Sequence, residues 1–254
     1  MCDVTLKPYG ISVTDILTKK DEKVCEDALY AFVGIVAIQI GLVDLLTLLG
    51  IIPDYMISHS AGELGCAYAD GCLTIDQAIL SAYFIGLACT EGKIIRSSMA
   101  IVSYCDYECL KNMCPMDIEI ICRNSENCNV INNIHVREIH CNVPYHSSYL
   151  ESVENQLLLD LNKVISHPKK RSPKWVSTSI PRIEWFTSAS KLSSADYHTH
   201  SILSTVLFEQ TTHLIPSNAV TIEIAPHAVL KEVLNEVNNV VLNDPREQNI
   251  DVIL

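Results

Sequence analysis

The chain has 254 residues, of which 48% are hydrophobic and 19% charged, a composition typical of a folded domain with a sizeable core. This length suits one large domain, or one domain that carries a small insertion. The formal net charge of -12 argues against a nucleic acid partner, because phosphate backbones would be repelled. The N-terminus lacks a basic segment that leads into an apolar stretch, so we expect no secretory signal and a cytoplasmic protein whose 11 cysteines are reduced.

The N-terminal part of the chain predicts two helices. An amphipathic run from Val13 to Leu17 precedes an almost wholly apolar stretch from Leu29 to Leu49. That stretch is long enough to cross a membrane, but Gln39 lies near its middle and no Lys/Arg cluster flanks it. We therefore expect a helix buried inside an α/β domain and ended by Gly50, and no membrane partner.

A strand, a tight turn and a helix are predicted next. Residues Tyr55 to Ile57 favour a short strand, and the small apolar residues Leu64 to Ala69 favour a helix after the intervening turn. A capping box from Thr74 to Gln77 then predicts the start of a further helix.

The second half of the chain alternates between helix and strand patterns. Between Ala100 and Cys141, short alternating runs among most of the cysteines predict a small β-containing insertion. Helical periodicity returns from Leu150 to Ile165, residues 175–178 and Val220 to Ile224 favour strands, and residues 228–237 favour a helix. This alternation is typical of an α/β fold with a largely parallel sheet.

The turn after the first strand carries a near match to a catalytic motif. Residues 58–62, SHSAG, depart from the nucleophile elbow G-x-S-x-G only at the first glycine. In such an elbow Ser60 would be the nucleophile, and the Ala61 N–H would help to stabilise the oxyanion. The five residues alone leave open an ordinary helix-capping serine.

A longer stretch carries a more specific resemblance. Residues 58–71, SHSAGELGCAYADG, resemble the nucleophile segment of the malonyl/acetyl transferase domain of animal fatty acid synthase, which typically reads GHS-x-GE-x-x-x-x-YADG. Segments across most of the chain also resemble that domain: Lys7–Gly10, Ile38–Ile40, Asp44–Leu46, Arg171–Ser172, Trp175–Pro181, Val206–Phe208 and Glu223–Ala228.

The resemblance implies a reaction and its reacting residues. An acyl group would pass from coenzyme A to Ser60, and then to the phosphopantetheine thiol of an acyl carrier protein. The segment PYHS at residues 144–147 is similar to the family's histidine motif, so His146 is the expected general base, oriented by a backbone carbonyl. No bound cofactor is implied, and the expected partners are acyl-CoA, the carrier protein and the other fatty acid synthase domains.

The resemblance also implies a fold with two parts. We expect an α/β-hydrolase-like core with a parallel sheet, residues 1–99 and 144–254, and a ferredoxin-like subdomain at residues 100–143. The subdomain is expected to be shortened. In the family a helix lies between two of its strands, whereas here residues 132–134 lead almost directly into the second of these strands. An upstream strand and a glycine-rich turn that supply a second oxyanion N–H in the family are expected to be missing before Met1.

Three substitutions depart from the family pattern. Ile85 stands where the family's Y-W-R-G motif has the arginine that binds a malonyl carboxylate, so we expect Ile85 to favour neutral acyl groups such as acetyl. Ser58 replaces a glycine and is expected to crowd the tight turn. Ser201 replaces an asparagine.

Other clusters carry weaker signals. His198 and His200 are predicted on one side of a strand without a third ligand, so no metal is expected there. Residues 169–171 form a predicted exposed basic turn, which is either solvated charge or a docking site for an acidic carrier protein. Reduced thiols are favoured over a zinc site for five irregularly spaced cysteines, Cys105, Cys109, Cys114, Cys122 and Cys128.

The sequence therefore predicts an acyltransferase domain of a fatty acid synthase that favours acetyl over malonyl groups. Two alternatives remain open. One is a catalytically inactive partial copy of that domain, acting, if at all, by binding. The other is a stand-alone serine hydrolase, because water can discharge an acyl-serine when no thiol acceptor binds.

Overall fold

The computed structural model describes residues 1–19, 27–95, 97–103, 107–124, 135–139, 141, 143–226, 230, 233–234 and 237–242. Their α-helices are α1 (Cys2–Leu6), α2 (Val13–Thr18), α3 (Ala28–Leu48), α4 (Gly62–Ala69), α5 (Ile75–Glu91), α6 (Tyr107–Met113), α7 (Glu154–Val164), α8 (Ala195–Leu203) and α9 (Glu209–Thr212). Their strands are β1 (Met56–Ile57), β2 (Met99–Ser103), β3 (His135–Ile139), β4 (Lys169–Lys170), β5 (Trp175–Val176), β6 (Leu192–Ser193), β7 (Val220–Glu223) and β8 (Asn238–Val241). Short 3₁₀ helices cover Lys7–Tyr9, Ser148–Val153 and Arg182–Glu184.

Helix α3 is the long apolar helix that the sequence predicts. The Asp27 side chain accepts a hydrogen bond from the Leu29 N–H at its start, and Gly50 follows its end with a left-handed φ of 73°. Among the described helices, α3 alone has the length and hydropathy of a membrane span. Its side chains Val33 and Val36 are fully buried in the main hydrophobic cluster, so its first half contributes to the core of the domain.

Helix α5 packs closely against α3. The predicted capping box is present, since Thr74 Oγ1 accepts from Gln77 N while the Gln77 side chain accepts from Thr74 N. A Cβ at Gly86 would lie 2.5 Å from Leu29 Cα, so the approach of the two helices requires glycine at this position. This close packing holds the preceding residue, Ile85, in the interior.

Strands β1 and β5 form a parallel pair in which Met56 lies opposite Trp175. Parallel strands present their carboxyl ends at the same edge, so the residues that follow β1 and β5 lie near one another. Strands β7 and β8 are also parallel, whereas β2–β3 and β4–β6 are antiparallel. In the described residues the predicted parallel sheet is thus limited to two pairs of strands.

The predicted insertion contributes β2, α6 and β3 to the described structure. The segment after α6 does not join the β2–β3 sheet: Cys122 forms a parallel bridge with Val206, and Arg123 N donates to Val206 O at 2.8 Å. This segment therefore lies on the core. The family helix expected to be deleted falls outside the described residues, and the boundaries at 100 and 143 stay predictions.

The C-terminal part of the chain matches the prediction in one element. Strand β7 covers most of the strand expected from Val220 to Ile224. The helix expected at residues 228–237 falls largely outside the described residues, and β8 begins at the next residue, Asn238.

Candidate active site

The predicted strand, turn and helix around Ser60 are present as β1, residues 58–61 and α4. Ser60 has a left-handed backbone with φ of 56°, which turns the chain sharply between β1 and α4. A Cβ at Gly62 would lie 3.2 Å from the Ser58 Cβ, so the glycine lets the turn close tightly. The Ser60 side chain consequently projects from the carboxyl end of β1.

The backbone crowding expected at Ser58 is not observed. Only two non-glycine residues among those described have a positive φ, Ser60 and His146, so Ser58 adopts a backbone that any L-residue tolerates. Its side chain is buried beside the turn, and the turn accommodates the substitution because Gly62 leaves room for it.

His146 lies against Ser60 although 86 residues separate them, with Nε2 2.7 Å from Ser60 Oγ. The other ring nitrogen, Nδ1, lies 3.0 Å from Ser201 O and 3.1 Å from Ser204 O. Carbonyl oxygens only accept hydrogen bonds, so we assign the ring proton to Nδ1. Nε2 then accepts from the Ser60 hydroxyl, which is the geometry of a serine with an adjacent general base.

The electrostatic environment keeps His146 neutral. Burial, with a smaller effect of the neighbouring His59, lowers the pKa of His146 from 6.5 to about 4, and the hydrogen bonds to the Ser201 and Ser204 carbonyls oppose this shift. A neutral imidazole at pH 7 has a free electron pair at Nε2, as a base requires.

His59 is a part of the site that the sequence analysis did not single out, although it precedes Ser60 in the motif. Its Nε2 donates to Asn124 Oδ1 at 2.9 Å, and burial lowers the pKa of its imidazole. The hydrogen bond connects the turn of Ser60 with the segment that follows α6. His59 is thus a hydrogen-bond donor beside the Ser60–His146 pair.

The backbone N–H of Ala61 lies at the start of α4 and donates to no acceptor in the described part of the chain. The first N–H groups of a helix have no partner within the helix and carry a partial positive charge. Ala61 N–H is therefore available to an oxyanion that forms on an acyl group attached to Ser60.

Ile85 lines a small cavity beside Ser60. The cavity volume is about 10 Å³, room for roughly one water-sized group. Its apolar lining residues, apart from Ala61, are Phe32, Leu64, Ile85 and Ile202. Among the described residues around the cavity, Glu63 is the one acidic residue, and burial lowers the pKa of the His198 imidazole to about 3.

Glu63 is a second residue that the sequence analysis did not single out. Its carboxylate is buried and accepts five hydrogen bonds, at distances of 2.8 to 3.2 Å. The donors are Trp175 Nε1, Tyr197 Oη, Thr178 N, Thr178 Oγ1 and Ser179 Oγ. The signal was available in the motif, where a glutamate follows the last glycine of the elbow.

The predicted basic turn is only partly exposed. Lys169 and Lys170 form the exposed strand β4, but Arg171 is buried. Its guanidinium lies 4.8 Å from the centre of the Trp175 ring and donates to Tyr197 Oη at 3.2 Å. The prediction was wrong for this residue, because aromatic faces and a hydroxyl stabilise its charge inside the domain.

The predicted strand around His198 and His200 is wrong, since both residues lie on α8. The Ser194 side chain caps this helix by accepting from Tyr197 N. On a helix, residues two positions apart point in different directions, so the imidazoles diverge. In the described part of the chain, no three His, Cys, Asp or Glu side chains converge as metal ligands, and Cys105 and Cys128 lie outside that part.

Solved acyltransferase structures share this fold. A loading acyltransferase from the avermectin modular polyketide synthase matches with a TM-score of 0.78 at 17% identity, covering 98% of this chain and 86% of that chain. An acyl carrier protein S-malonyltransferase from Vibrio cholerae matches with a TM-score of 0.77 at 14% identity, covering 100% and 90%. The fold is therefore that of the α/β acyltransferase domains with a ferredoxin-like subdomain, as the sequence predicts.

The chain belongs to the acyl transferase domain family, whose sequence profile matches residues 1–249. Members of this family are acyl-transferring enzymes. A highly reducing polyketide synthase of Stachybotrys chartarum is 28% identical over 229 residues, 76% of this chain and 9% of that protein. The squalestatin tetraketide synthase of a Phoma species is 24% identical over 231 residues, 77% of this chain and 9% of that protein. The chain thus spans about a tenth of the length of these curated relatives, and the predicted resemblance is confirmed at the level of the family.

Proposed function

We propose that the chain is the acyltransferase domain of a fatty acid synthase and moves an acyl group from coenzyme A to an acyl carrier protein. The observation that carries the proposal is the 2.7 Å contact between Ser60 Oγ and the neutral His146 Nε2. Family membership supports acyl transfer as the reaction type. The assignment to a fatty acid synthase depends on the motif resemblance, whereas the curated relatives named above are polyketide synthases. The proposed cytoplasmic location and the proposed partner domains of the synthase depend on the same resemblance.

The first half of the reaction follows from the hydrogen bonds of the pair. Ser60 Oγ attacks the thioester carbonyl carbon, and its proton passes to His146 Nε2. The Ala61 N–H stabilises the oxyanion of the tetrahedral intermediate. The carbon–sulfur bond then breaks, and the coenzyme A thiolate leaves with the proton from His146.

The second half reverses these steps with another thiol. The phosphopantetheine thiol of the carrier protein gives its proton to His146 Nε2 and attacks the acyl-serine. When the carbon–oxygen bond breaks, Ser60 Oγ recovers the proton and the acyl group remains on the carrier. In this proposed reaction no cofactor is consumed, and none stays bound to the domain.

We further propose that the site prefers a neutral acyl group such as acetyl to malonyl. Ile85 offers no positive charge to a malonyl carboxylate, and the buried Glu63 carboxylate at the same cavity would repel it. The cavity volume of about 10 Å³ favours a small group. These features make loading of acetyl easier than loading of malonyl.

The intact mass of the protein after incubation with acetyl-CoA tests the proposal. We expect one acetyl adduct in the wild type and in the matched control Ser58→Ala, and none in Ser60→Ala. A purified carrier protein with its phosphopantetheine should remove the adduct and gain the same mass. A folded wild type that forms no adduct would support the inactive copy, and an adduct that water removes rapidly without a carrier would support the hydrolase.

A further inference from the structure

We propose that Glu63 is a positioning residue that orients His146 through the hydroxyls of Ser179 and Ser201. The inference rests on the proposed roles of Ser60 and His146. In the described residues no carboxylate contacts the His146 ring, whose Nδ1 faces two backbone carbonyls. Glu63 is connected to one of these carbonyls by a chain of side-chain hydrogen bonds.

A chain of side-chain hydrogen bonds joins Glu63 to Ser201 through Ser179. Ser179 Oγ donates to Glu63 Oε1 at 3.2 Å and to Ser201 Oγ at 2.8 Å. The single Ser179 hydroxyl proton is shared between these two acceptors. Ser179 therefore connects the Glu63 carboxylate with the Ser201 side chain.

This chain fixes the residue that accepts the His146 proton. Ser201 O lies 3.0 Å from His146 Nδ1, while the Ser201 hydroxyl is held by Ser179. Both serines are buried, so water does not compete for these bonds. Holding Ser201 in place keeps the ring proton on Nδ1 and leaves the Nε2 electron pair directed at Ser60.

The second carboxylate oxygen fixes Glu63 itself. Glu63 Oε2 accepts from Trp175 Nε1 at 2.9 Å and from Tyr197 Oη at 2.8 Å. Because the Tyr197 proton points to Glu63, the Ser177 hydroxyl donates to Tyr197 Oη at 2.7 Å. Ser177 Oγ in turn accepts from Ser179 N at 3.1 Å, which orients the backbone of the serine that connects Glu63 with Ser201. Glu63 is thus held at both carboxylate oxygens. It can therefore hold Ser179 and Ser201 in the positions that keep the His146 ring proton on Nδ1.

The test uses Ser179→Ala, Ser201→Ala, their double variant and Glu63→Gln. Ser81→Ala is the matched control, because Ser81 is a buried serine whose Oγ has no partner in the described structure. Two rate constants are measured: acetylation of Ser60 by acetyl-CoA, and labelling of Ser60 by a fluorophosphonate that reacts with activated serines. The ¹⁵N shifts of the His146 ring report which nitrogen carries the proton.

We expect each serine variant to slow both reactions on the order of tenfold, and Glu63→Gln to slow them at least as much. The two rate constants of the double serine variant should fall no further than those of a single serine variant, because both substitutions break the same chain of hydrogen bonds. The ring shifts should move towards a proton on Nε2 in these variants and stay unchanged in Ser81→Ala.

Losses that multiply in the double variant, or ring shifts that stay at the wild-type values, would overturn the inference and leave Glu63 with a structural role only. If Glu63→Gln does not fold, the two serine variants still decide. A wild type that reacts with the fluorophosphonate but not with acetyl-CoA would refute the proposed function while the labelling rates still test Glu63. If the wild type reacts with neither reagent, the proton position on the His146 ring in the variants still tests the role of Glu63.

Discussion

Acid pH offers a direct test of the environment of His146. His146 must be neutral to act as the proposed base, and burial lowers the pKa of this imidazole from 6.5 to about 4. At pH 5.5 an imidazole with the ordinary pKa would be about 10% neutral, whereas one with a pKa of about 4 stays about 97% neutral. We therefore predict that acylation of Ser60 proceeds at nearly its full rate at pH 5.5, about tenfold faster than an exposed histidine would allow.

Single-turnover acetylation of the free protein, followed by intact mass between pH 4.5 and 8, measures this profile. Acetyl-CoA has no group near the thioester that titrates in this range, so the profile reports the protein. A half-maximal rate close to pH 6.5 would show that the ring is solvated and would refute the buried geometry. A His146→Ala variant gives the background rate that has to be subtracted.

Three further predictions concern the acyl group, stability and helix packing. Ile85→Arg should raise malonyl loading relative to acetyl loading by tenfold or more in a competition read by intact mass, and an unchanged ratio would contradict the pocket assignment. His146 should contribute a fall of about 3 kcal/mol in the free energy of unfolding between pH 6.5 and 4, because the unfolded chain takes up a proton that the buried imidazole does not; in urea titrations His146→Asn should remove about this much of the pH dependence, while the part due to the buried His198 remains. Gly86→Ala should cost about 1–3 kcal/mol, since its Cβ would lie 2.5 Å from Leu29 Cα, whereas the control Gly41→Ala in α3 has free space and should not destabilise.

The elements that the sequence predicts well are those with local causes. The β1 strand, the turn of Ser60 and α4 depend on apolar runs, on a glycine and on small residues within 15 positions of one another. The capping box of α5 is a contact over three residues, and it forms as expected. His146 was predicted from a resemblance, because nothing local connects it with a serine 86 residues away.

The elements that the sequence did not predict depend on long-range contacts. Helix α8 carries a polar run around His198 without clear periodicity, and its start is fixed by the Ser194 cap and by packing. Arg171 belongs to a basic run, and its burial follows from two aromatic rings that are brought to it by the fold. The partners of Glu63 lie more than 100 residues away in sequence, so neither propensity nor spacing could reveal them.

Backbone strain indicates that the pair is held in place by the fold and does not assemble only on binding. Among the described non-glycine residues, the two with positive φ are Ser60 at 56° and His146 at 64°. Each such conformation costs on the order of 1–2 kcal/mol, so the surroundings must stabilise it. For His146 the stabilising contacts are the hydrogen bond from its N–H to Ile202 O at 2.9 Å and the bonds of its ring. For Ser60 the stabilising feature is the junction of β1 with α4. Strain that coincides with the proposed nucleophile and base is what a preorganised pair requires, because the cost is met during folding and not in the transition state.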